Sequence, residues 1–445
     1  MKKIYKIYLW LLIFISFSAC SNNNDIQTDN EDNINVPEEN KKKPNILLII
    51  ADDMGLDACP SYNIGYEKPS MPTLENLMNN GVKFTNVWSN PTCTPTRATI
   101  LTGKYGFRTN VIKVDDVLST SEISIQKYLN QHLSNQYTNA VIGKWHLSKD
   151  TNHPENMEIN YYAGSLGGGL KNYWDWNLTE NGQTTASAEY TTSKYTDLAI
   201  NWVEDQTQPW FLWLAYNAPH EPFHLPPNEL HFQGELPTDE ASIEANPLPY
   251  YLAMLEAMDT EIGRLLNSMS SEEKENTVII FVGDNGTPNQ VVQEYNSKRA
   301  KGSLYKGGIN VPMIISGNNI TRLNETEDAL INLSDLYTTI ANIAGVNVSY
   351  INDSYNFNDL LSVSNEGVRE YLYSEAGENL NYLNKTIRNN THKYILFEDG
   401  SESLFDLSKE PLETKDLLKP KNLPLSDNDN KMKVELVQKL AEINP

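Results

Sequence analysis

The sequence predicts an α/β protein. A large central, mostly parallel mixed sheet flanked by helices should be followed by a small C-terminal antiparallel sheet with one helix. Three observations carry this expectation. Continuous apolar runs recur up to about residue 365, and such runs suit strands buried on both faces. Helical stretches separate the runs, the alternation expected of a covered parallel sheet. Beyond that point the segments become short and partly alternating, divided by turns, as in an antiparallel sheet.

The first run starts at Asn45, after Pro44, and stops at the acidic pair Asp52 and Asp53. A shorter run, Ala140–Ile142, leads into Gly143-Lys144-Trp145-His146. Trp210–Tyr216 leads into Asn217-Ala218-Pro219-His220, and Thr277–Val282 into Gly283-Asp284-Asn285-Gly286. Each run leaves chemically capable residues just past its C-terminal end, the edge where open α/β sheets build sites. Helices are expected over Thr73–Asn80, Ile123–Leu133, Tyr195–Glu204, Tyr250–Met269 and Leu333–Ala344. In the segment Cys93–Gly103 (CTPTRATILTG), Pro95 suits a first helical turn and Gly103 a helix end. Cys93 would then sit at a helix N-terminus, where free N–H groups and the dipole favour an anion. In the C-terminal part, Glu370–Ser374, Lys385–Asn389, Lys393–Phe397 and Ser403–Leu407 read as short strands, closed by a helix over Asp427–Ile443. Two large units follow: 44–365, carrying the chemistry, and a smaller α+β unit, 366–445.

The 445 residues carry 35 Lys+Arg against 58 Asp+Glu, a net charge of −23, and 39% are hydrophobic. That is ample for a packed core and argues against a mostly disordered chain. The acidic excess argues against nucleic acid as a partner. Three cysteines, Cys20, Cys59 and Cys93, give no disulfide framework. Residues 1–19 have a basic start (Lys2, Lys3, Lys6), an apolar stretch and the small residues Ser18 and Ala19. The stretch is short for a membrane span and reads as a signal-peptide core. With Cys20 directly after it, the segment resembles a bacterial lipoprotein signal, and the following Ser-Asn-Asn-Asn-Asp resembles the export signal of Bacteroidetes surface lipoproteins. The resemblance implies lipidation of Cys20 and an exported protein of the outer membrane or cell surface, touching membrane only through that anchor. A periplasmic or secreted protein is the alternative. The rest of 20–43 is rich in Asn, Asp and Glu and reads as a flexible tether.

Cys93-x-Pro95-x-Arg97 followed by Ala98, Leu101, Thr102 and Gly103 resembles the signature of formylglycine-dependent sulfatases of the alkaline phosphatase superfamily. Asp52-Asp53, Gly143-Lys144-Trp145-His146, Pro219-His220-x-Pro222, Asp284-Asn285-Gly286 and the Lys301–Pro312 segment match the same family in order. The resemblance runs from about Pro44 to the C-terminus and implies the sulfatase fold. It implies conversion of Cys93 to 3-oxoalanine (formylglycine) by a formylglycine-generating or anaerobic sulfatase-maturating enzyme. Asp52, Asp53, Asp284 and Asn285 form an all-oxygen set suited to a hard cation, Ca²⁺ or Mg²⁺. The resemblance implies Ca²⁺ there, with residue 93 as a further ligand. Sulfate ester cleavage needs positive groups around the non-bridging oxygens, and Arg97, Lys144, His146, His220 and Lys301 are the candidates. By resemblance, Arg97 holds the formylglycine hydroxylate and Lys144 contacts it and the sulfate. Lys301 and His220 bind sulfate near the leaving oxygen, one of them as general acid. His146 acts on the covalent intermediate. Lys306 stands where the family often has Glu, and reads as a packing variation. Cys59 matches no catalytic position and reads as a packed thiol.

The insertion Tyr161–Trp176 is rich in glycine and aromatics, and its Tyr161, Tyr162, Trp174 and Trp176 could form a sugar-stacking wall. Ser165, His153, His224 and Trp174 are expected substrate contacts. A sulfated polysaccharide or oligosaccharide is the substrate class implied, with ulvan, carrageenan, fucoidan and glycosaminoglycans as candidates. A phosphonate or phosphodiester hydrolase of the same superfamily is the nearest rival. A surface glycan-binding protein with a degenerate site is the rival from another class.

Overall fold

The computed structural model describes residues 42–365 and 367–445. The expected signal segment, the lipidated Cys20 and nearly all of the tether lie outside the described residues. Residues Lys42–Pro445 form one compact unit. Its centre is a 10-stranded sheet made of β1 (Asn45–Ala51), β2 (Gly81–Trp88), β3 (Thr138–Gly143), β4 (Tyr161–Gly164), β5 (Trp176–Glu180), β6 (Gln183–Ser187), β7 (Trp210–Ala215), β8 (Thr277–Gly283), β9 (Met313–Gly317) and β10 (Glu325–Asn332). The order is β10-β2-β9-β8-β1-β7-β3-β4-β5-β6. The run β8-β1-β7-β3-β4 is parallel throughout. Antiparallel pairings join β9 to both β8 and β2, and join β4, β5 and β6 in series.

The apolar runs bury both faces because their side chains alternate between two cores. Ile46, Leu48 and Ile50 of β1 pack into one cluster, and Leu47, Ile49 and Ala51 into the other, following the period of two in a strand. The long helix Leu248–Ser268 and the helices Thr191–Glu204 and Pro72–Asn79 cover one face. The helices Cys93–Thr102, Ile125–Leu133 and Asp335–Ile343 cover the other. The expected helices are thus present, with ends shifted by a few residues.

A two-stranded ladder, β11 (Tyr350–Ile351) with β12 (Ser354–Tyr355), precedes the antiparallel sheet β13 (Leu372–Gly377), β14 (Leu383–Arg388), β15 (His392–Leu396) and β16 (Glu402–Asp406). The final helix spans Asp427–Ile443, with the Ser426 hydroxyl accepting from the Asp429 N–H as its N-cap. The small sheet is tied to the large one: Ser374 Oγ donates to Ser89 O, and Asn332 Nδ2 to Tyr373 O. No helix among the described residues is long and apolar enough to cross a membrane.

Candidate active site

The four strands that carry chemistry at their ends are neighbours, in the order β8-β1-β7-β3. Ala51 pairs with Gly283, and Gly143 with Ala215. Asp52-Asp53, Asp284-Asn285, Asn217–His220 and Lys144–His146 therefore leave the sheet in one row. Gly143 makes the turn out of β3 possible. It has φ +107°, and a Cβ there would lie 1.9 Å from Ala215 O. Trp145 then enters the core, while Lys144 and His146 reach the site on either side of it.

Asp52, Asp53 and Asp284 each offer a carboxylate oxygen within 4.8 Å of the others, and all three are fully buried. Asp53 has φ +73°, and its N–H donates to Asp284 Oδ1 at 3.1 Å. Asn285 Nδ2 donates to Asp53 Oδ1 at 2.7 Å. Basic side chains surround the group. Arg97 donates from Nε and Nη2 to Asp284 Oδ2 at 3.1 and 2.8 Å, and from Nη1 to Lys144 O at 2.9 Å. Lys144 donates to Asp52 Oδ2 and Lys301 to Asp53 Oδ2, each at 2.5 Å. His220 directs Nε2 at Asp53 Oδ2, 3.8 Å away, while its Nδ1–H donates to Glu221 O at 2.7 Å.

Cys93 opens the helix Cys93–Thr102, which ends at Gly103 in the left-handed region. Arg97, one turn on, lies on the same face. The Cys93 Sγ is 3.2 Å from His146 Nδ1. Burial pushes the Cys93 thiol up, so the unconverted residue is a poor thiolate nucleophile at neutral pH. Burial, then Lys144 and Arg97, hold His146 down at about 3. Its imidazole is neutral at ordinary pH, which leaves one ring nitrogen with a lone pair. Burial opposes charge on Asp52, but Lys144, His220, Arg97 and Lys301 outweigh it and keep the carboxyl well below its usual range. Burial and Asp52 push Asp284 up to about 6 against Arg97 and Lys144. Burial opposes charge on Lys301, but Asp53 and Asp52 overcome it and raise its pKa.

A divalent cation fits this donor set. Asp52 Oδ1 and Asn285 Oδ1 are buried with no hydrogen-bond partner, a costly state for two oxygens. Both lie beside Asp284, whose carboxyl is already pushed up by burial and then by Asp52. A hard cation held by Asp52, Asp53, Asp284 and Asn285 would satisfy them.

The Sulfatase family model matches residues 44–346. The chain belongs to the sulfatase family. Among its relatives, the uncharacterized sulfatase YdeN of Escherichia coli K12 is 28% identical over 366 residues, 69% of this chain and 64% of that protein. Mouse arylsulfatase J is 26% identical over 330 residues, 68% of this chain and 52% of that protein. The match thus spans less than two thirds of either relative. The crystal structure of Ps i-CgsB has a TM-score of 0.76 at 27% identity, covering 91% of this chain and 94% of that one. The same protein in complex with k-i-k-neocarrahexaose gives 0.74 at 25% identity, with the same coverage.

Not every expected contact of this sulfatase-family chain comes to the site. His153 is buried with both ring nitrogens used: Nε2–H donates to Leu118 O at 2.8 Å, and Nδ1 accepts from Trp145 Nε1 at 3.1 Å. It orients Trp145 and has no free atom for a substrate. Ser165 is buried at the end of β4, its hydroxyl on Asn217 Oδ1 at 3.2 Å. The aromatic wall is smaller than expected because β4 and β5 absorb most of it. Tyr162 and Trp176 are buried, and the half-buried Tyr161 donates its hydroxyl to Glu180. Trp174 stays at the surface, 5.1 Å from the His224 ring. Both line a cavity of about 580 Å³ with Tyr173, Phe223 and Glu221. Glu221 directly follows His220, and Tyr173 donates its hydroxyl to His220 O at 2.7 Å, so the cavity adjoins the site. Cys59 is fully buried, a packed thiol as read. The Lys306 backbone N–H donates to Glu413 Oε2 at 2.9 Å.

The glycines of the insertion have another use. A Cβ on Gly168 would lie 2.2 Å from His146 Cε1, and one on Gly169 would lie 3.4 Å from His220 Cε1. Gly168 lets the chain pass close over His146, whereas a Cβ on Gly169 would make only ordinary contact with His220. Sequence reasoning also missed Asp115, whose Oδ1 is 3.0 Å from His146 Nε2. It sits in a loop far from every motif, so no local pattern marks it.

Proposed function

We propose that the protein is a sulfuric ester hydrolase that removes sulfate from a sulfated polysaccharide or oligosaccharide. In this reading residue 93 is converted to formylglycine, a divalent cation (Ca²⁺, with Mg²⁺ as the alternative) sits on Asp52, Asp53, Asp284 and Asn285, and Cys20 anchors an exported protein. The observation that carries the reading is the joint burial of three carboxylates, an amide, Lys144 and His146 past the ends of adjacent strands, with Cys93 and Arg97 on the helix beside them.

As its hydrate, formylglycine would supply one hydroxyl to attack sulfur and a second whose deprotonation frees sulfate. The cation would supply positive charge beside the sulfate oxygens and residue 93. Arg97, fixed by Asp284 and by Lys144 O, holds its charge under residue 93. Lys144 and Lys301 bring ammonium groups toward the oxygens of the ester, where charge builds in the transition state. The His220 Nε2 edge faces the same space, and either His220 in its imidazolium form or Lys301 is placed to protonate the departing alcohol oxygen. His146 Nδ1, beside position 93, takes the proton from the second hydroxyl. Trp174 and His224 offer an aromatic surface for the sugar that departs. The likeness to i-CgsB, solved with k-i-k-neocarrahexaose, supports an oligosaccharide as the substrate.

The test is to offer sulfate and phosphate esters of the same sugars to one preparation made with a maturation enzyme. Mass spectrometry of the Cys93 peptide would establish the extent of conversion. Sulfate release that scales with conversion supports the reading. Preferred cleavage of the phosphate esters, or a thiol at position 93 in the native host, contradicts it.

A further inference from the structure

We propose that Asp115 is a positioning residue that fixes the tautomer and orientation of His146, so that Nδ1 is the basic nitrogen facing position 93. The His146 part rests on the function proposed above; the role of Asp115 rests on geometry.

His146 is held at both edges. Nδ1 is 3.2 Å from Cys93 Sγ, and Nε2 is 3.0 Å from Asp115 Oδ1. A carboxylate only accepts, so Nε2 must carry the ring proton and Nδ1 is left with its lone pair. The opposite tautomer would set two acceptors against each other at Asp115 and leave no base at position 93. When Nδ1 takes a proton from the hydroxyl at position 93, the charge appears on a ring whose far edge already faces the Asp115 carboxylate. The Asp115 carboxylate on the far edge stabilises it and itself takes no proton, the division of roles seen in other carboxylate–histidine pairs.

Backbone geometry supports a built arrangement. Asp115 has φ +67° and His146 has φ +57°, a region that non-glycine residues seldom adopt and that tends to gather at functional sites. The Asp115 N–H donates to Thr94 Oγ1 at 3.2 Å, so the loop is tied to the residue after Cys93. Gly168 closes the remaining face of the ring. His146 is buried, whereas half of the Asp115 side chain is exposed, so changing Asp115 removes little packing.

The experiment uses Asp115→Ala and Asp115→Asn in the full chain with two readouts. Steady-state kinetics on the matured enzyme should show kcat falling roughly 100-fold with KM within about threefold, because the lost effect belongs to proton transfer. Nitrogen-15 NMR of histidine-labelled, unconverted protein should show the His146 proton on Nε2 in the parent and a shift toward the other tautomer in Asp115→Ala. The proposal is overturned by kcat within about threefold of the parent, or by an Nδ1–H tautomer in the parent. If the parent turns over no sulfate ester, the proposed function falls, and the NMR readout alone decides the role of Asp115.

Discussion

His146 shows how narrowly single residues are constrained at this site. Cys93, Asp115 and Gly168 bound it on three sides. Replacing Gly168 by Ala would place a carbon 2.2 Å from the ring, so Gly168→Ala should lower kcat by one to two orders of magnitude with little change in melting temperature; equal activity would contradict the contact. The orphan oxygens of Asp52 and Asn285 make a second residue-scale prediction. Adding Ca²⁺ at about 100 times its Kd should stabilise the protein by about 2.7 kcal/mol. Asp52→Asn and Asn285→Ala should lose most of the corresponding thermal shift, read by differential scanning fluorimetry. A third concerns His224, which burial pushes down to about 4. Its folded pKa lies below the unfolded value of about 6.5, so the folded state binds fewer protons. Stability is therefore fully present above about pH 6.5 and falls as the pH drops toward 4, by roughly 2–3 kcal/mol at most. The unfolding midpoint of His224→Gln should show a weaker acid dependence than the parent.

At the level of elements, the sequence made the chemistry-bearing strands visible and hid the others. β1, β7 and β8 are buried on both faces and read as unbroken apolar runs. β2 (GVKFTNVW) and β10 (ETEDALIN) lie toward one edge of the sheet and carry polar side chains along their length, so neither gave the same signal. The insertion after β3 was misleading for a related reason. Tyr161, Tyr162 and Trp176 are strand residues, and their aromatic character served packing as well as it would serve sugar binding. The final helix was legible at its start, where the Ser426 hydroxyl caps it. The turn at Gly143 makes a prediction at this scale. Gly143→Ala combines positive φ with a Cβ 1.9 Å from Ala215 O. It should destabilise the fold by roughly 2–4 kcal/mol in urea unfolding and displace Lys144 and His146 together.

At the scale of the whole molecule, the chain carries a net charge of −23, while the proposed function requires its site to take an anionic sulfate ester. Screening over about 8 Å at physiological salt confines the repulsion of that body. In the proposed function, binding comes from Arg97, Lys144, Lys301, the two histidines and the cation that the carboxylates suit. Raising ionic strength from about 10 to 150 mM should therefore lower KM for a sulfated oligosaccharide, by weakening long-range repulsion, with little effect on kcat. A rise in KM would mean that attraction from outside the site dominates. Family motifs made the catalytic and cation-binding candidates legible because they sit just past strand ends or at a helix start. Asp115 and Gly168 were not legible, because they reach His146 only through the tertiary fold. The most direct test of the whole account is inorganic sulfate release from a panel of sulfated oligosaccharides by the matured protein and by Cys93→Ala. The account predicts release by the parent on at least one glycan and none by the variant. Comparable release by both would contradict it.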